Sequence, residues 1–307
     1  MFKKIALFGF LILFLPAGLI FSQNHAESKV DSILQDYYSE NSPGVSVMVL
    51  KDGEVQLSKS YGYANLEDKE KATETTNYHL ASLTSQFTAM AVMMLKDEGK
   101  ANLDQKITEV WQGLPGYCSA VTLNHLLEQS SGLPNLSYGD FYWDMKDLED
   151  IRKFLKQHEK LSYQPGKKSN NNSLNDALLA SYIEKISGTS YRKFLDNRIF
   201  EPLGMGNSSL YKGGLFSKIS DKATGYMRQN NNQYQPASEF EKDYYEGVTG
   251  VFSSLNDLQK WMLAWETDTL ITRSTLSQAK RIGFVRGQSQ FPGYGWTKAF
   301  NNGQKYL

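Results

Sequence analysis

The apolar residues of this chain switch repeatedly between strand and helix spacing, and that pattern constrains the fold more than any other feature. Val45, Val47 and Val49 alternate with Ser46 and Met48, which is the period of a half-buried strand. Asp52-Gly53 follows, and Val55, Leu57 and Tyr61 lie beyond it. Asp-Gly between two such runs predicts a hairpin, because both residues accept a positive φ. From Ser82 the spacing becomes helical. Phe87, Met90, Ala91, Met94 and Leu95 share a face, and Gly99 follows the last turn, so a helix is expected from about Ser82 to Glu98. Further helices are expected over Val30–Tyr38, Leu123–Gln129, Leu148–Gln157, Leu174–Ile186 (stopped by Gly188), Tyr191–Ile199 (before Pro202) and Leu255–Trp265. Strand character returns around Thr249–Ser253. Strands at both ends with helices between them predict an α+β fold, an antiparallel sheet flanked by helices. The sheet part would come from about residues 25–80 and 245–307, with a helical insertion over about 82–244. A cleft between the two layers is the expected ligand site.

The ends and the composition narrow the classes of function. Lys3 and Lys4 precede an apolar run from Ile5 to Phe21, and Ser22-Gln23 follows. A basic, then apolar, then small-residue order predicts a secretory signal peptide over residues 1–22 and an exported, periplasmic or extracellular, protein over 23–307. An uncleaved anchor is the alternative; Pro16 and a run at the short limit for spanning weigh against it. Hydrophobic residues at 40% and aromatic residues at 13% suit a globular core. A formal net charge of zero and the lack of long charge runs argue against a nucleic-acid partner. Cys118 is the single cysteine, which excludes an intrachain disulfide. His25, His79, His125 and His158 show no metal-type spacing, so neither a metal nor another cofactor is expected.

The segment from His79 to Met90 nearly spells a serine-hydrolase site. In an S-x-x-K arrangement the lysine lies one helical turn from the serine and takes its proton once its own pKa is depressed. This chain has Ser82, with Ser85 at the lysine's position. A helix N-terminus favours a developing alkoxide by only about 1 kcal/mol or less, too little to deprotonate a serine near neutral pH. Ser85 cannot accept and hold a proton. On this segment alone, a helix N-cap is the reading that Ser82 fits best.

A series of further segments, in order, carries a resemblance. These are Lys51-Asp52-Gly53-Glu54; Ala81-Ser82-Leu83-Thr84 with Gln86-Phe87-Thr88-Ala89; and Leu123-Asn124-His125-Leu126-Leu127-Glu128-Gln129-Ser130-Ser131-Gly132-Leu133-Pro134. Pro165-Gly166, Ile183-Glu184-Lys185-Ile186-Ser187-Gly188 and Ile199-Phe200-Glu201-Pro202-Leu203-Gly204-Met205 follow. Gly247-Val248-Thr249-Gly250-Val251-Phe252-Ser253-Ser254, Asp257-Leu258 through Lys260-Trp261, and Gly293-Tyr294-Gly295-Trp296 complete the set. With them the chain resembles the β-lactamase-related serine hydrolases, the group of class C β-lactamases, penicillin-binding proteins, D-alanyl-D-alanine carboxypeptidases and related esterases. Most of these are packing and turn motifs, so they speak to fold more than to activity.

The resemblance implies the β-lactamase/penicillin-binding-protein fold, with Ser82 at the nucleophile position. The departures fall on the chemistry. The family's second motif, Tyr-x-Asn, falls on Asn171-Asn172-Ser173 when Pro165-Gly166 and Leu178-Leu179 are gapless anchors, so Asn171 and Ser173 replace its tyrosine and asparagine. Asparagine has no titratable proton near neutral pH. A shifted register would put Lys168-Ser169-Asn170 there instead. The third motif, a Lys/His-Thr/Ser-Gly strand that forms one wall of the oxyanion hole, does not occur before Leu307. The C-terminal strands and helix of the family fold are therefore expected to be missing, leaving a sheet edge that an unidentified partner chain could complete. The family places a histidine like His125 on a structural helix. His125 therefore reads as packing, His79 lies just before the helix and could approach Ser82 only by accident of loop geometry, and Tyr138, Tyr142 and Trp143 read as cleft, core or interface aromatics.

Three readings follow. The first is an exported family member without catalysis, which at most binds peptidoglycan-type peptides or small acyl compounds. The second is a weak serine hydrolase acting on a β-lactam, a D-Ala-D-Ala peptide or an ester through Ser82, with an unexpected base such as Lys168. The third is the product of a truncated or split gene. The first is the expectation carried forward, and no residue chooses among the substrate classes.

Overall fold

The computed structural model describes residues 27–34, 38, 41–135, 145, 147–211, 219–229, 233–237, 246–280, 294–296, 299–301 and 304–306. The expected signal segment, Tyr138, Tyr142, Trp143 and Gly293 lie outside the described residues.

The predicted hairpin is present. Strands β1 (Val45–Lys51) and β2 (Glu54–Tyr61) pair antiparallel with Ser46 opposite Ser60. They are joined through Asp52 at φ 52° and Gly53 at φ 80°. The two serine hydroxyls bridge the strands at 2.8 Å. Residues 27–34 are helical, and β2 fastens them by charge. Lys59 Nζ lies 2.9 Å from Glu27 Oε1 and 2.8 Å from Asp31 Oδ1, and the Tyr61 hydroxyl donates to Asp31 Oδ1 at 2.6 Å.

The segment read as the nucleophile helix becomes α1 (Thr84–Asp97), preceded by a 3-10 turn over Ala81–Leu83. Its spacing predicted one apolar face, but Thr88, Ala89, Val92 and Met93 are buried as well. The helix is enclosed because it packs against α4 (Ser173–Ser187), α5 (Tyr191–Leu195) and α7 (Arg273–Ala279). A helix covered on most sides needs apolar or small residues nearly all round. Gly188 at φ 70° ends α4, as the stop signal predicted. The shorter α2 (Leu123–Leu127) begins with a capping box. The His125 N–H donates to Thr122 Oγ1 and the Thr122 N–H donates to His125 Nδ1, so His125 holds a helix end. Helix α3 (Leu148–Lys156) starts at Asp147, whose carboxylate accepts from the N–H groups of Glu149 and Asp150.

Three separated stretches of the chain, one of them from within the expected helical insertion, meet in a three-stranded antiparallel sheet. There β5 (Val251–Ser253) lies between β3 (Tyr78–His79) and β4 (Ser209–Leu210). Helix α6 (Leu255–Ala264) follows β5 directly. Near the C-terminus β6 (Ala299–Asn301) pairs with β7 (Gln304–Tyr306). Among the described residues the strands form several small antiparallel ladders rather than one continuous sheet. The core lies in the helical layer around Trp111, Trp261, Tyr182, Tyr191, Phe87 and Met90.

Candidate functional site

Strand β3 delivers the chain to the site. The Leu80 N–H donates to the Val251 carbonyl at 2.8 Å, and the chain then turns through Ala81 at φ 48°. A non-glycine residue in that region stores about 1–3 kcal/mol of strain, which persists only where the surroundings enforce it. Two contacts do so here: the β3–β5 pairing, and buried Thr84, whose Oγ1 accepts from the Val251 N–H at 3.2 Å. The turn leaves Ser82 exposed ahead of α1. The cap positions of the 3-10 turn and of α1 fall on Leu80 and Leu83, neither with a side-chain capping bond. The N-cap role for Ser82 is therefore not realised.

Ser85 stands one turn on and directs its hydroxyl backwards, donating to the Ser82 carbonyl at 2.8 Å. Ser82, Ser85, Asn171 and Ser173 line one cleft of about 320 Å³, together with Gln129 and Asp176. Apolar Leu83 and Val248 complete much of its wall. Four residues singled out from two distant segments are thus brought together. Asn172, between two of them, faces elsewhere. It is buried, its Oδ1 accepts from the Leu174 N–H, and its Nδ2 donates to the Leu133 and Pro134 carbonyls. Lys168 is exposed and is not among the described residues that line the cleft.

Gly295 closes one side. Its φ is +79°, and a Cβ there would lie 2.5 Å from Gln86 Cα and 2.6 Å from Gln86 N, so glycine alone allows this segment to touch α1. Tyr294 pins it, donating its N–H to the Leu127 carbonyl and its hydroxyl to Asn124 Oδ1.

Two residues that the sequence reading passed over are central. Gln129, at φ 52°, donates through Nε2 to Asp176 Oδ2 at 3.1 Å and Oδ1 at 3.3 Å. Its Oε1 accepts from Asn175 Nδ2 at 2.7 Å and from the Asn172 N–H at 3.0 Å. Ser131 Oγ in turn donates to Asn175 Oδ1 at 2.7 Å. Burial pushes the Asp176 carboxyl up to about 7, against the lowering effect of the Gln129 hydrogen bond. The available signal was an acid one turn into α4 among Leu174, Ala177 and Leu178, where burial makes a charge costly. Nearby, the buried Tyr191 hydroxyl pairs with Thr88 Oγ1 at 2.6 Å, and Thr88 donates to the Gly247 carbonyl. Burial raises the Tyr191 phenol far above its ordinary range, so it stays neutral.

His79 belongs to a different space. It stacks on Phe252 with ring centroids 4.8 Å apart and lines a separate cavity of about 430 Å³ with Tyr63, Tyr78, Lys222 and Tyr226. Burial lowers its pKa to about 4, which keeps it neutral near pH 7. Among the described residues no group of His, Cys, Asp and Glu could hold a metal ion, and no helix is long and apolar enough to cross a membrane.

The sequence model of the beta-lactamase family matches residues 27–305. Protein flp of Staphylococcus aureus (strain MRSA252) is 27% identical over 295 residues, covering 92% of this chain and 58% of its own length. Penicillin-binding protein 4* of Bacillus subtilis (strain 168) is 30% identical over 268 residues, covering 82% of this chain and 58% of its own length. The chain thus spans 58% of each of these relatives. Among solved structures, the octameric penicillin-binding protein homologue from Pyrococcus abyssi superposes with a TM-score of 0.75 at 27% identity, over 92% of this chain and 66% of that one. A penicillin-binding protein from Bacillus halodurans shares the fold, with a TM-score of 0.74 at 22% identity, over 90% of this chain and 84% of that one.

Proposed function

Because the chain belongs to the beta-lactamase family, we propose that it is an exported penicillin-binding-protein-type domain that holds peptidoglycan-type peptides or small acyl compounds in the Ser82 cleft without turning them over. One observation carries this reading. At the position where a lysine would take the proton of Ser82, the Ser85 hydroxyl donates back to the Ser82 carbonyl. A donor turned to the backbone supplies no base. Asn171, in the same cleft, has no titratable proton to relay to a leaving group near neutral pH. Loss of one member of a catalytic constellation costs about 10⁴-fold to 10⁶-fold in rate, and here two positions are altered. The basic and apolar order of residues 1–22 supports export.

A second reading, a slow hydrolase with Ser82 as nucleophile, draws on the strained Ala81 backbone that presents an exposed Ser82 to the cleft. Intact-protein mass separates the two after incubation with a penicillin and with a fluorophosphonate, beside Ser82→Ala. The expected result is a folded protein with no adduct from either reagent. An adduct that the Ser82→Ala variant loses would establish the hydrolase in its place.

A further inference from the structure

The cavity of about 430 Å³ beside His79 has no part in the reading of the Ser82 cleft. Ala81 is the one residue that lines both. Its size lies within the range of about 300–1,000 Å³ that small-molecule sites occupy. Five ring-bearing side chains line it: Tyr63, Tyr78, His79, Tyr226 and Phe252.

What these rings can offer a ligand depends on where their polar ends are held. The Tyr78 hydroxyl bonds to Ser46 Oγ on β1 at 3.0 Å. The Tyr226 hydroxyl accepts from the Leu66 N–H at 2.8 Å and donates to Glu67 Oε2. Ser46, Leu66 and Glu67 stand outside the lining, so these two tyrosines turn ring surface rather than a hydroxyl to the cavity. Phe252 is held between His79, stacked on it with 29° between the planes, and Tyr211, which meets it edge-on at 6.2 Å. Lys71 Nζ sits 5.3 Å from the Tyr63 ring centroid. Lys222, also on the lining, already has a partner of its own.

The backbone fixes these walls before any ligand arrives. The Gly44 N–H donates to the Tyr63 carbonyl at 2.7 Å, and the Thr224 N–H to the Ala64 carbonyl at 2.8 Å. The strands Tyr226–Arg228 and Tyr234–Pro236 pair antiparallel, with Tyr226 opposite Pro236. Walls already in place leave little to be ordered on binding.

We propose that this cavity is a second ligand site, which takes a flat aromatic compound between its ring-bearing walls. Ring-to-ring contact adds to the gain from apolar burial, by roughly 2-fold to 10-fold in affinity for each pair. A saturated compound of the same skeleton gains burial alone. The site requires nothing of Ser82, so its failure is separate from failure of the non-catalytic reading.

The test uses the full chain with 2-naphthol and decahydro-2-naphthol, which share a carbon skeleton and a hydroxyl but differ in flatness and π-surface. Calorimetric titration is expected to show 2-naphthol binding roughly 5-fold or more tighter. Ala223→Phe and Ala237→Phe each place a ring in the cavity. Both alanines line it, and their N–H bonds to the Asn77 and Gly225 carbonyls, each 2.8 Å, do not involve the side chain. Either variant, with its far-UV circular dichroism unchanged, should bind 2-naphthol roughly 10-fold or more weakly. His79 is the one histidine on the lining, which gives a readout on the native chain should both variants fail to fold. Its ring C–H signals in a proton–carbon NMR spectrum should shift with 2-naphthol while those of His125 and His158 stay in place. Absence of binding to the native chain overturns the proposal, as does equal or tighter binding of the saturated compound. Unchanged affinity in a folded filled variant, or binding that leaves the His79 signals unmoved, overturns it as well.

Discussion

Gly132→Ala is expected to lower the thermal midpoint by about 6–12 °C, corresponding to roughly 3 kcal/mol in a domain of this size. Gly132 has φ +70°, and a Cβ built there would lie 2.1 Å from the Tyr163 carbonyl oxygen and 3.1 Å from its carbon. Both are backbone atoms and cannot swing aside. The same two segments are tied by the Ser162 N–H, which donates to the Gly132 carbonyl at 2.8 Å. The left-handed conformation costs an alanine about 1–2 kcal/mol and the forced separation about 1–3 kcal/mol more. Gly188→Ala is the matched control. It has the same φ of +70° but nothing within 4 Å of the added Cβ, so it should show the conformational cost alone. Differential scanning fluorimetry on both variants checks this, and equal shifts for the two would refute the steric account. Because Gln129 and Ser131 lie immediately before Gly132, the damage should also reach the cleft.

Ser85→Lys combined with Asn171→Tyr is expected to raise fluorophosphonate labelling of Ser82 by at least ~10²-fold over the native chain, the lower end of what general acid–base catalysis contributes. Both positions already line the cleft with Ser82. A lysine at 85 would project from the first turn of α1, one turn from the serine, and its ammonium would be partly desolvated by Leu83 and Val248. Each single change should give much less than the pair, since members of one catalytic unit act together. Time-resolved mass spectrometry measures the rates. Labelling of the native chain as fast as the double variant would mean that Ser82 already has a base, and the non-catalytic reading would fall.

The elements that could be read in advance were those whose signal is local. Asp52-Gly53 announced the β1–β2 turn, the recurrence of Phe87, Met90 and Met94 announced α1, and Gly188 announced the end of α4. Ser82 and Asn171 could be placed in one site because short motifs on each segment have family counterparts. Gln129 and Asp176 could not. Their partnership spans 47 residues, and no periodicity in either segment states it. The left-handed backbones of Ala81 and Gln129 were equally hidden, because neither is glycine and only the surrounding packing imposes them. The near-complete enclosure of α1 was also invisible, since the helices that cover it arrive from three separate stretches of sequence.

The direction of the hydrogen bonds at Gln129 has one more consequence. Rotating that amide by half a turn would set Nε2 against the two donors at Asn172 and Asn175, and Oε1 against the Asp176 carboxyl. With the Asp176 carboxyl ionised, attraction would become repulsion at each of these contacts. The joint between the end of α2 and the start of α4 therefore works like a keyed fitting, with one seating that locks and none that is half right. A loop and a helix 46 residues apart are thereby registered to each other by a single side chain.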